Sequence, residues 1–256
     1  MMTLWESAAA RTAAATAAGA LSPIQTRVEE LWDGGMRFCI REVKALAHKP
    51  PAPSAADPFL PYDPALFVAD VGPRHVVLLN KYPVLPDHLL IVTRQFEEQT
   101  APLSEDDFEV VADALAPAPA LAFYNSGRLA GASQRHKHLQ LVRLPLLPGA
   151  AEASFEALLS AASEVPFRQA HRSVAGRPLA PLYREMLEEL DSPEAYNLLL
   201  TERTMMLVPR VAERFEGISV NALGFAGALL VKDEVQRDRL LQHGPMAALI
   251  ATAGPA

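Results

Sequence analysis

Apolar positions fall into short runs along this chain. Residues 75–79 and 88–93 are almost wholly apolar, and between them Asn80-Lys81-Tyr82-Pro83-Val84-Leu85-Pro86-Asp87 holds two prolines. Short apolar runs bounded by turn residues read as buried strands, and the prolines stiffen the connection, so an antiparallel pair is predicted. Helical spacing runs from about residue 3 to 30, where alanine dominates, and Thr3 with Glu6 forms a capping box at its start. Pro50, Pro51, Pro53, Pro58, Pro61 and Pro64 then hold the chain extended. Ser104, followed by acids, opens a helix over 104–115. Residues 121–124 form a strand, 125–134 a glycine-containing loop and 135–144 another strand. Helices follow at 153–163 and 179–190, then an apolar hairpin of 196–201 and 205–209 turning at Glu202-Arg203-Thr204. An apolar stretch at 220–231 and helical spacing from 233 to beyond 243 complete the pattern. Strand pairs with helices between them predict an α+β fold on an antiparallel sheet, not the strand–helix alternation of a parallel one.

The pattern hints at internal duplication. Residues 88–94 are echoed by 204–210, and each is followed by an asparagine, a small-residue stretch and an apolar strand, at 125–142 and 221–231. Histidines survive only in the first copy. The predicted division is an N-terminal catalytic part, 1–150, and a C-terminal part, 151–256, that packs on it and completes the site.

Composition narrows the function classes. The chain has 256 residues, half of them hydrophobic and 21% charged, as in an ordinary globular protein. A formal net charge of −7 argues against a nucleic-acid coat, although locally placed cations can still hold phosphate. The single cysteine, Cys39, excludes an intrachain disulfide and any zinc site built on paired cysteines, which suits a reducing compartment. Residues 1–20 lack a basic flank and a solid apolar centre, and no run approaches the roughly 20 apolar residues of a membrane span. A cytoplasmic protein without a membrane partner is expected.

The chemistry concentrates at His136-Lys137-His138-Leu139-Gln140. On a strand, alternate residues share a face, so His136, His138 and Gln140 point one way while Leu139 and Leu141 enter a core. An imidazole so placed can attack phosphorus if one nitrogen is free and the other N–H is held, for instance by the His136 carbonyl. Gln140 can donate to a phosphoryl oxygen without becoming a base. The preceding loop, Gly127-Arg128-Leu129-Ala130-Gly131-Ala132-Ser133-Gln134, lets backbone N–H groups approach phosphate closely. Lys49, Lys81, Arg135 and Lys232 are candidate cations for a polyphosphate. Two alternatives stay open for the histidine pair, a metal site and a solvated polar face. Outside any pattern stand His48, His75, His88, His171 and His243, and structural or surface roles are expected for them.

These residues resemble a known family, the ATP adenylyltransferases or diadenosine tetraphosphate phosphorylases. They belong to the galactose-1-phosphate uridylyltransferase branch of the histidine-triad superfamily. The resemblance rests on Asp57-Pro58-Phe59, the segments 79–84 and 88–93, Tyr124-Asn125-Ser126-Gly127, the long motif 131–140 and Asn221-Ala222-Leu223-Gly224-Phe225. It implies a histidine-triad-like fold in a duplicated uridylyltransferase-like arrangement. The implied reaction is diadenosine tetraphosphate plus phosphate giving ATP plus ADP, reversibly, with AMP carried on His138. Gln140, His136 and Ser133 would join His138 in catalysis. Lys49, Asn80, Lys81, Asn125, Gly131, Ala132, Ser133, Gln134, Asn221, Ala222, Leu223 and Lys232 would line the nucleotide and phosphate site. Magnesium would accompany the polyphosphate, with no protein site for it evident in the sequence. Hydrolase branches carry a histidine where Gln140 stands, so transfer to phosphate is favoured. A dinucleoside polyphosphate hydrolase and a non-catalytic nucleotide sensor are the alternatives.

Overall fold

A computed structural model describes residues 2–44, 57–147, 149–150, 153–161 and 164–256. Helix α1 (Leu4–Ala17) carries the predicted capping box between Thr3 and Glu6. It stops well short of residue 30, where Gly19 at a φ of 70° leaves the helical conformation. Residues Thr26–Asp33 (β1) and Met36–Val43 (β2) instead form a fully paired antiparallel hairpin. Gly34 and Gly35, with φ of 56° and 79°, supply the tight turn whose twist matches two antiparallel strands. Cross-strand pairing thus overrides a helical spacing that had no packing partner.

The predicted hairpin is present as β4 (His75–Leu79) and β5 (Leu89–Thr93), with β3 (Phe67–Val71) added at its edge. Next come α2 (Glu105–Leu115), capped by Ser104, and the strands β6 (Ala120–Asn125) and β7 (His138–Arg143). Strand β7 begins later than predicted: Arg135 turns outward to Glu98 at 2.5 Å, and Lys137 turns inward. The C-terminal part holds α3 (Ser154–Ala161), β8 (Ala170–Ser173), α4 (Leu179–Glu189), β9 (Tyr196–Leu200) and β10 (Thr204–Pro209). A small ribbon, β11 (Arg214–Phe215) with β12 (Ile218–Ser219), leads to α5 (Ala222–Phe225), β13 (Ala228–Val231), α6 (Glu234–His243) and α7 (Pro245–Ala253).

Eight strands make one antiparallel sheet in the order β3-β4-β5-β7-β6-β9-β10-β8. A second sheet has the order β1-β2-β13, with β13 parallel to β2. The echoed segments therefore each build a hairpin, but the last strand of the second copy leaves for the smaller sheet. One face of the large sheet packs on α1, α2 and α4 and buries Leu139 and Leu141. The opposite face, which carries Val142, packs against β2, β13, α3, α5 and α7. His138 and Gln140 share the face of Val142, so the chemistry lies between the two sheets.

Candidate active site

Strand β7 runs between β5 and β6, and its register sets Val92 opposite His138 and Leu90 opposite Gln140. The His138 Nδ1–H donates to the His136 carbonyl at 2.8 Å, and Nε2 has no hydrogen-bond partner among the described residues. Burial pushes the His138 ring down to about 4, against the smaller upward pull of that carbonyl. The imidazole is thus neutral near pH 7, in one tautomer, with a free nitrogen lone pair. The Phe59 ring packs over it, with centroids 5.3 Å apart.

His136 supplies that carbonyl, and its own ring is otherwise engaged. Its Nδ1 lies 2.8 Å from an Asp57 carboxylate oxygen, and its Nε2 lies 2.9 Å from Thr93 Oγ1 and 2.8 Å from the Thr93 carbonyl. The β6–β7 ladder ends at the Phe123–Gln140 pair, short of His138. The Gln99 carboxamide fills the gap: it accepts from His138 N at 2.9 Å and donates to His138 O at 3.1 Å and Asn125 O at 3.0 Å. Neither Asp57 nor Gln99 was assigned a role from the sequence. Both arrive through long-range folding, although Asp57 lies in a segment that carried the resemblance.

A cavity of about 270 Å³ opens beside Gln140, between the sheets. Of the residues expected to bind nucleotide, it brings together Asn80, Gln140, Asn221, Leu223 and Lys232. It adds two that sequence reasoning missed, His88 and Arg41. His88, expected to be structural or on the surface, lies 2.9 Å from Gln140 Oε1 through its Nε2. Alternation along β5 does place His88 on the face of Leu90 and Val92, but the pairing of β5 with β7 was not evident. Arg41 on β2 reaches the cavity because β13 pairs with β2, setting Leu230 beside Arg41. Among the described residues its buried Nε has no hydrogen-bond partner, and it forms no ion pair.

The remaining candidates are placed elsewhere. Asn125 and Ala222 join the two halves of the chain: Asn125 Oδ1 accepts from Ala222 N at 2.9 Å and from Asn197 Nδ2 at 2.8 Å. Lys81 is exposed, with its ammonium 3.9 Å from Asp63. In the loop, the amides of Gly131 and Ala132 close on Arg128 O and Gly127 O, whereas those of Ser133 and Gln134 have no acceptor among the described residues. Gly131, at φ 89°, presses against Asn221, where an added Cβ would meet the Asn221 Cβ at 2.8 Å. Lys49 lies outside the described residues. No group of three or more His, Cys, Asp or Glu able to hold a metal ion occurs among the described residues.

The antiparallel frame is a histidine-triad-like fold, and the family it matches is one of nucleotidyltransferases. The chain belongs to the Ap4A phosphorylase family, whose N-terminal domain matches residues 1–161, and residues 158–255 match the ATP adenylyltransferase C-terminal domain. Among relatives in Saccharomyces cerevisiae, diadenosine 5',5'''-P1,P4-tetraphosphate phosphorylase 2 is 28% identical over 80% of this chain and 79% of its own length. Protein APA1 from the same yeast is 28% identical over 84% and 83%. The crystal structure of yeast Ap4A phosphorylase Apa2 superposes with a TM-score of 0.82 at 25% identity, covering 100% of this chain and 95% of that one.

Proposed function

We propose that this protein phosphorolyses diadenosine tetraphosphate to ATP and ADP, reversibly, through AMP carried on His138. The relatives named for that activity support the substrate, and yeast Apa2 has also been crystallised with Ap4A and with AMP. The observation that carries the mechanism is the 2.8 Å bond from His138 Nδ1 to the His136 carbonyl, which points the Nε2 lone pair away from it. Nε2 attacks an α-phosphorus, a P–N bond forms, and the P–O bond to the next phosphate breaks with its electron pair leaving on ATP. An oxygen of inorganic phosphate then attacks the adduct, the P–N pair returns to Nε2, and ADP departs. Charge builds on the non-bridging oxygens in both steps, where the Gln140 amide, the Ser133 and Gln134 amides, Ser133 Oγ and the cavity cations can receive it.

Lys232 and Arg41 would take the outer phosphates, and Asn80, Asn221 and Leu223 would bound the nucleotide. Lys49, Lys81, Gly131 and Ala132 complete the proposed set, with Asn125 and Ala222 holding the halves together behind it. Magnesium would accompany the polyphosphate, since no group of three or more His, Cys, Asp or Glu able to hold a metal ion occurs among the described residues, and no step passes through it. The proposed partners are small nucleotides and phosphate in the cytoplasm, with neither nucleic acid nor membrane. The net charge of −7 supports that reading, and no described helix is long and apolar enough to cross a membrane.

The test is incubation with diadenosine tetraphosphate, with and without phosphate, followed by intact-protein mass spectrometry and product analysis. The expected result is an acid-labile AMP adduct without phosphate, absent in His138→Ala, and ADP plus ATP when phosphate is added. AMP formed at the same rate with or without phosphate would make the protein a hydrolase.

A further inference from the structure

We propose that His88 is a positioning residue that turns the Gln140 carboxamide nitrogen, rather than its oxygen, toward the phosphoryl group in transit. The assignment rests on the proposed reaction for its consequence, but not for its geometry. Four groups form a directed chain, and its first member leaves no choice to the others. The Tyr82 backbone N–H can only donate, and it reaches Asn80 Oδ1 at 3.1 Å. The other end of that carboxamide is therefore Nδ2, a donor, and it faces His88 Nδ1 at 3.2 Å. Nδ1 must accept, so the neutral ring carries its proton on Nε2. That N–H donates to Gln140 Oε1 at 2.9 Å.

Gln140 is then left with one way round. Its oxygen is held by His88, and its NH₂ has no partner among the described residues, on the face of β7 that it shares with His138. A reversed carboxamide would set an oxygen against the phosphoryl oxygens and two N–H groups against a ring N–H. Burial supports the neutral ring that this tautomer requires: the His88 ring is pushed down to about 4, so it stays uncharged in the working range. The loop that carries Asn80 and Tyr82 is itself closed by Asn80 N donating to His88 O at 2.9 Å. A backbone turn therefore sets the direction of a side chain 60 residues later, counted from Asn80 to Gln140.

Two measurements test this. Long-range proton–nitrogen NMR on the wild-type full chain should show His88 neutral with Nε2 protonated; protonation on Nδ1 overturns the proposal whatever the substrate. In kinetics, His88→Leu should lower the single-turnover rate of His138 adenylation about tenfold with little change in ligand affinity, less than the full loss of a transition-state donor. His88→Gln, which returns an amide N–H near the Nε2 position, should recover most of that rate. In a Gln140→Ala background His88→Leu should have no further effect, and an additive effect would mean a merely structural histidine. An Nε2-protonated His88 in a protein that does not turn over diadenosine tetraphosphate would support the relay and sink the substrate reading alone.

Discussion

Gln99 holds His138 by both of its backbone polar groups, accepting from the amide at 2.9 Å and donating to the carbonyl at 3.1 Å. One carboxamide thus replaces the missing rung of a sheet ladder at the residue proposed as the nucleophile. Tyr124 locks it in turn, its hydroxyl donating to the Gln99 carbonyl. Gln99→Leu would leave the His138 amide and carbonyl and the Asn125 carbonyl without this partner. At about 1 kcal/mol or more for each buried unpaired group, the loss should be about 3 kcal/mol. Urea unfolding reads the stability, and single-turnover adenylation should slow at least about tenfold as His138 loses its alignment. An unchanged adenylation rate in the folded variant would confine Gln99 to stability.

Acid should silence His138 late. Because burial holds the His138 ring at about 4 instead of 6.5, adenylation without phosphate should keep a flat kcat/KM down to about pH 5 and half-fall near pH 4. Stopped-flow or quench measurements across that range check it. Omitting phosphate removes the titration of the acceptor from the profile. A half-fall near pH 6.5 would mean the ring is more hydrated than its 5% exposure implies.

Stability should move with the same two rings. His88 and His138 are both held at about 4, so between about pH 6.5 and 4 the unfolded chain binds protons that the folded one refuses. Their contribution is fully present above about 6.5 and is lost as pH falls toward 4, on the order of 3 kcal/mol for each ring. Urea midpoints at several pH values between 7 and 4 should fall accordingly, and less steeply in His88→Gln. An identical slope in that variant would assign the acid sensitivity to other groups.

Lys137 illustrates a motif residue with a different task. It points away from the cavity, and its ammonium lies 2.7 Å from Asp107, which also bonds His75 Nε2 at 2.7 Å. Burial pushes the Asp107 carboxyl up, but the bonds from His75 and Lys137 outweigh it and hold it well below the usual range. Lys137→Met removes one partner of a buried ion pair, so about 3–5 kcal/mol of stability should disappear. The Kd for AMP, by isothermal titration at a temperature where the variant is folded, should stay within about twofold. A large loss of affinity with little loss of stability would place Lys137 at the ligand instead.

Arg41 and Lys232 should matter in proportion to phosphate number. Each as methionine, singly, should weaken diadenosine tetraphosphate about tenfold to a hundredfold, the value of one charge-assisted contact, and leave AMP nearly unaffected. Paired titrations decide. Equal weakening of both ligands would remove these cations from the outer phosphates.

Local signals in the sequence suffice for part of the fold and of the site. The hairpin of β4 and β5, the Ser104 cap, and the tautomer-fixing carbonyl of His136 all depend on residues close together in the chain. The β1–β2 hairpin was missed although Gly34-Gly35 announced it, because β1 is largely exposed and alternates too weakly to compete with the alanine pattern before it. The polar four-residue edge strand β8 gave no apolar run to find. In the site, period two was enough for His138 and Gln140. His88, Gln99 and Asp57 act on β7 or on His136 across 52, 39 and 79 residues, a separation that only sheet pairing and loop docking resolve. Arg41 needed the parallel pairing of β2 with β13, which nothing local foretells.

The pairing of β6 with β9, from Ala122–Leu200 to Asn125–Asn197, sews the first and second parts of the chain into one fabric. Every side chain of β6 and β9 is buried. A fragment cut after residue 150 would therefore bare a flat, apolar strand margin, the form of edge that recruits strands from other molecules. Severed halves of this enzyme should precipitate or find each other again, and mixing them under refolding conditions is a route to a functional split protein.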